Sequence, residues 1–176
     1  MYKFIFKLFA ELLGIQIIGS IFSAVFYFPH FIYSIFTSFL FLWAIHSTFW
    51  QLANKERKRI VIVNNNLSDG KTKVKINHFK GAYISLPFLV FNALITVLTY
   101  ATQSDLLVEI KSLLNLPFIE FLPTPPIVLN LKYCVSRLIV DFVMYFTCII
   151  GYISGSFNIS ITEKIFPKII YKQNKK

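Results

Sequence analysis

Hydrophobic positions along this chain come in long runs rather than in the short alternations of a soluble fold. Four runs reach the roughly 20 residues that an apolar helix needs to cross a bilayer. They cover residues 4–27, 31–50, 81–101 and 133–155. Pro29 separates the first two, so Phe28-Pro29-His30 reads as a tight outer turn. Pro87 predicts a kink in the third, which a membrane bundle tolerates. The first run opens with Lys3 and Lys7, as a secretory leader would. Glu11 then interrupts it and no small-x-small cleavage site follows, so an uncleaved anchor is expected.

The segments between the runs are patterned too. Within residues 51–80, Arg59-Ile60-Val61-Ile62-Val63 is β-branched, and Asn64-Asn65-Asn66-Leu67-Ser68-Asp69-Gly70 is dense in turn formers. Lys71-Thr72-Lys73-Val74-Lys75-Ile76 then alternates strictly, with the lysines on one face. This predicts a β-hairpin with a longish loop. A lone hairpin is marginal in water, so its apolar face is expected against helix ends or headgroups.

Within residues 102–132, Leu106, Leu107, Ile110, Leu113 and Leu114 recur at helical spacing. Ser104 is placed to cap, and Asp105 suits the positive helix end. A short helix lying in the outer headgroup plane is expected. Pro117, Pro123, Pro125 and Pro126 then forbid regular helix and predict a stiff connector. The expected fold is an all-α membrane protein forming one domain, 1–176. It comprises a four-transmembrane-helix bundle, a small cytoplasmic β-hairpin, an outer interfacial helix and a basic cytoplasmic tail over 156–176.

Composition strengthens the membrane reading. Apolar residues make up 56% of the 176 residues and charged ones 15%, and mean hydropathy is +0.62. Soluble domains carry about 25% charge. Twenty phenylalanines and nine tyrosines would overfill a soluble core. A soluble enzyme of ordinary type, a disordered chain and a disulfide scaffold are excluded.

The net charge of +10 is distributed rather than clustered in a recognition motif, so no nucleic-acid partner is expected. With four crossings, fifteen Lys and Arg fall on one side of the membrane and two, Lys111 and Lys132, on the other. The positive-inside rule then places the protein in the cell membrane as a multi-pass protein with both termini cytoplasmic. Cys134 and Cys148 are fourteen residues apart on one run, about 21 Å along a helix, too far for a disulfide.

Polar residues inside apolar runs carry the candidate chemistry, because each needs a partner in lipid. Glu11 and His46 lie on antiparallel neighbours near the cytoplasmic side, where an acid–base pair or a helix-joining hydrogen bond is expected. Arg137 and Asp141 are four apart and share a face, so a pair within one helix is expected. That face continues through Met144, Cys148, Gly151 and Gly155, ending in a G-x-x-x-G packing motif. The third run has its own stripe: Gly81, Ser85, Phe88, Asn92, Thr96 and Thr99. The two stripes are expected to face the bundle interior, as packing seams or as a polar pathway. No metalloprotease, hydrolase, phosphate-loop or dinucleotide motif is present, so no catalytic residue, cofactor or metal is expected.

Several pieces together resemble a group of small multi-pass membrane proteins of low-GC Gram-positive bacteria. They are Trp50 before a basic segment with Lys55 and Arg57, then Lys80-Gly81 opening an apolar run with Pro87. An Ile-Gly-Tyr-x-x-Gly close over residues 150–155, Ser160 and a basic tail complete them. Ala53 stands near where that group commonly has glycine. The resemblance implies topology and no activity. Beyond the bilayer, a membrane-protein partner or a second copy is expected. The leading expectation is a non-enzymatic accessory, interaction or immunity-type membrane protein. A small oligomeric transporter or channel component is the alternative. A lipid-acting intramembrane enzyme built on Glu11 and His46 ranks behind both.

Overall fold

The computed structural model describes residues 2–25, 31–67, 73–126 and 128–159. Among them the elements are α1 (Tyr2–Val25), α2 (Phe31–Asn65), α3 (Lys80–Thr102), α4 (Asp105–Leu114), a 3-10 helix (Leu116–Phe121) and α5 (Leu131–Ser156). Three helices, α2, α3 and α5, are long and apolar enough to cross a membrane. By that measure this is a membrane protein.

The expected fourth span is not among them, which corrects the four-helix bundle. Lys3, Lys7 and Glu11 occupy the first half of α1. The uncharged stretch that remains, Leu12 to Val25, falls short of the roughly 20 residues a crossing needs. Instead α1 packs beside the spans, burying Leu8 and Leu12 against the common core.

The β-hairpin is corrected as well: no strand occurs among the described residues. Its first arm, Arg59 to Val63, lies in the last turns of α2, a helix of 35 residues. Extending an existing helix needs no new nucleus, whereas a two-stranded hairpin stands at the edge of stability alone. The β-branched run therefore joins the helix. Residues 73–77 carry no regular secondary structure. Val74 is bracketed by the Asn64 side chain, which donates from Nδ2 to the Val74 carbonyl (2.9 Å) and accepts from the Val74 amide (2.8 Å). Ser68 to Thr72 of the expected hairpin lie outside the described residues.

Phe41, Ile45, Phe49 and Ala53 recur every four residues on α2 and form the centre of the core with Met144, Cys148 and Tyr152 of α5. Close approach is set by glycine. A Cβ on Gly151 would stand 2.6 Å from the His46 carbonyl oxygen, and one on Gly155 would stand 2.3 Å from that of Trp50. The G-x-x-x-G motif thus seats α5 on the backbone of α2, and the two helices run parallel.

The connection between α3 and α5 folds back over one end of the bundle. Gln103, in the left-handed region at φ 52°, closes its neck, donating to the Tyr100 carbonyl (2.7 Å) and accepting from the Leu129 amide (2.9 Å). Phe118 of the 3-10 helix enters the core edge-on to Phe41 at 5.7 Å. Ser38 donates to the Pro117 carbonyl. A 3-10 helix, where a connector was expected, joins α4 to the bundle.

Candidate functional site

In water α4 would bury its leucines. Here Leu106, Ile110 and Leu113 are 65%, 39% and 55% exposed, while Lys111 and Leu114 are buried. An apolar face turned outward suits a lipid surround, and it turns the lone cation of α4 inward. The Lys111 ammonium donates to both carboxylate oxygens of Asp141, at 2.7 and 2.9 Å, and to the Asn92 carbonyl at 3.2 Å. All three of its donors are used.

Asp141 also accepts from the Thr96 hydroxyl at 3.3 Å. Asn92 donates to the Phe88 carbonyl one turn back and accepts from Gln16 of α1 at 3.2 Å. Gln16 donates in addition to the Leu114 carbonyl at 3.0 Å, the end of α4. One polar centre therefore ties α1, α3, α4 and α5 together. Burial pulls the Lys111 ammonium below the ordinary lysine range, and the Asp141 carboxylate works against that pull.

Arg137 is one turn from Asp141 but is not its partner: no hydrogen bond or ion pair joins them among the described residues. Its guanidinium lies over the Tyr133 ring, Cζ 4.9 Å from the centroid, and it is 1% exposed. Nε and Nη1 have no hydrogen-bond acceptor among the described residues, and the buried Tyr133 hydroxyl and Asn115 amide are unmatched too. With Lys111 and Asp141 neutralising each other, Arg137 leaves one positive charge in excess.

Glu11 and His46 are not brought together. Glu11 is exposed, 3.8 Å from Lys7, and lines an open cleft of about 390 Å³ with Thr48, Gln51, Leu52 and Lys55. His46 turns to α5, where its Nε2 lies 3.2 Å from the Ser154 hydroxyl, and it stacks on Trp43. No acid–base pair forms, and no group of three metal-ligating side chains occurs among the described residues. A separate cluster joins α2, α3 and α5 at the basic end, where Glu56 accepts from Lys80 (2.6 Å) and from the Tyr152 hydroxyl (2.7 Å).

Of the candidates read from sequence, Asn92 and Asp141 meet in the polar centre, with Arg137 one turn away. Gly151 and Gly155 pack against α2, while Glu11 and His46 stand apart. Lys111, which sequence reasoning counted as a loop charge, is the side chain it missed. Its place between Leu107 and Leu114 on one helical face is the signal that could have found it. No protein-family model matches the chain, and neither a curated protein nor a solved structure matches it.

Proposed function

We propose that this is a non-enzymatic membrane protein that acts by engaging a membrane-protein partner, in the accessory or immunity class. The observation that carries it is the C-terminal end of α2. At 35 residues α2 is about 52 Å long, well beyond the roughly 30 Å of a hydrocarbon core. Its last turns bear Lys58 and Arg59, and Val61, Ile62 and Val63 there are 44%, 61% and 41% exposed. Apolar side chains on a basic helix outside lipid suit a partner with an apolar groove and an acidic rim.

The orientation belongs to the same proposal. Lys7 and Lys55 line one cleft, and Trp50 donates to the Ile159 carbonyl at 2.8 Å. These contacts mark the basic end of the bundle, which the positive-inside rule assigns to the cytoplasm of a cell membrane.

A photo-crosslinking residue at Ile62, in membranes, tests the reading. A discrete adduct that Lys58→Glu weakens is expected. Adducts no more specific than those from a probe at exposed Leu94 would contradict it. A second reading, a transporter or channel component, is favoured by the uncompensated Arg137 beside the polar centre. Ion or solute flux in liposomes that Asp141→Asn abolishes would select it.

A further inference from the structure

We propose that the open cleft between α1 and α2 binds the headgroup phosphodiester of one anionic phospholipid. The inference needs only the membrane location and stands whether or not a partner docks on the end of α2. Lys7 of α1 and Lys55 of α2 line this cleft of about 390 Å³, a volume within the roughly 300–1,000 Å³ of small-ligand sites. Lys55 makes no ion pair or hydrogen bond among the described residues. Lys7 meets only Glu11, at 3.8 Å, too long for a hydrogen bond, and both side chains are open to solvent. Two cations thus face one carboxylate. Their surplus of one positive charge matches the single negative charge of a phosphodiester, to which lysine offers charge-assisted hydrogen bonds.

Depth selects a lipid over a dissolved anion. The apolar run 31–50 of α2 rises about 30 Å, the thickness of a hydrocarbon core. It ends at Trp50, a residue type that settles at the membrane interface. Lys55 follows about 7.5 Å farther along the helix, in the headgroup layer. Leu8, which is buried, and half-buried Leu52 line the same cleft, so an apolar wall stands beside the charges. That combination fits a phosphate carried on a glycerol ester: the ester carbons rest on leucine while lysine holds the phosphate. A choline headgroup brings its own cation and cancels the charge match.

The test uses the full chain in neutral detergent micelles. Thermal unfolding is followed while short-chain phosphatidylglycerol is added at constant ionic strength. A saturable rise in melting temperature is expected, with no saturable rise from short-chain phosphatidylcholine or from inorganic phosphate over the same range. Lys7→Gln and Lys55→Gln should each weaken the apparent affinity about fivefold. Glu11→Gln should tighten it, because the competing carboxylate is gone. Lys58→Gln removes an exposed cation of α2 that does not line the cleft, and should leave it unchanged. All four side chains are exposed, so the variants keep the fold, and cooperative melting without lipid checks this. An equal response to phosphatidylcholine would remove the charge selection, and an equal response to inorganic phosphate would assign the cleft to a dissolved anion. A loss from Lys58→Gln as large as that from Lys55→Gln would reduce binding to general attraction by a basic surface. Each of these results overturns the proposal, as does the absence of a saturable response in wild type.

Discussion

Lys111–Asp141 and Lys7–Glu11 join the same two functional groups in two different surroundings. The first pair has 1% and 0% of its side chains exposed, the second 77% and 48%. At 2.7 Å the buried pair is hydrogen-bonded and supported by Thr96 and Asn92, while the exposed pair stands at 3.8 Å within one helix. Inside the bundle each charge depends on the other, because only Thr96 and the Asn92 carbonyl supplement the pair there. On the open side of α1, water and counter-ions do that work, and the pair adds little. The contrast assigns the organising role to the centre between α3, α4 and α5. It leaves the cleft beside Glu11 as an open feature of the surface.

The largest effect that would sharpen this contrast is removal of one buried partner. Lys111→Met or Asp141→Leu alone should destabilise the protein by about 3–5 kcal/mol, read from thermal or denaturant unfolding in micelles. Gly155→Ala comes next. Its added Cβ would stand 2.3 Å from the Trp50 carbonyl oxygen, and backbone yields poorly, so a loss of about 1–3 kcal/mol is expected. Glu56→Gln should cost about 1 kcal/mol, since its bonds to Lys80 and Tyr152 lie at a half-open site. Glu11→Gln should change stability by less than about 0.5 kcal/mol. A larger loss from Glu11 than from Lys111 would invert the comparison.

Much of this arrangement was legible in the residues. The stripe Gly81, Ser85, Phe88, Asn92, Thr96 and Thr99 matches the buried face of α3, because small and hydroxylated residues at helical spacing turn away from lipid. The stripe from Arg137 to Gly155 is likewise buried on α5. Two pairings were not legible. Arg137 and Asp141 share a face, but tertiary structure offers Asp141 a closer cation from α4, and sequence spacing carries no information about that partner. G-x-x-x-G marks a close contact without naming the helix across it, here α2.

The hairpin reading failed at Arg59 to Val63, where local β propensity lost to continuation of a helix begun at Phe31. The fourth span failed because run length in α1 was counted through Lys7 and Glu11. Lys111 went unseen because a helix expected in the headgroup plane turns its lysine toward water, whereas α4 packs on the bundle with Lys111 inward and Leu106 and Leu113 outward.

A double-mutant cycle between Lys111 and Asp141 tests the buried centre most directly. Unfolding in micelles is measured for wild type, Lys111→Met, Asp141→Leu and the double variant. If the pair is as buried as the structure places it, the double variant recovers most of either single loss, because no lone charge remains in the bundle, and the coupling exceeds about 2 kcal/mol. Losses that simply add would place Lys111 in the headgroup layer, away from Asp141, and contradict the account.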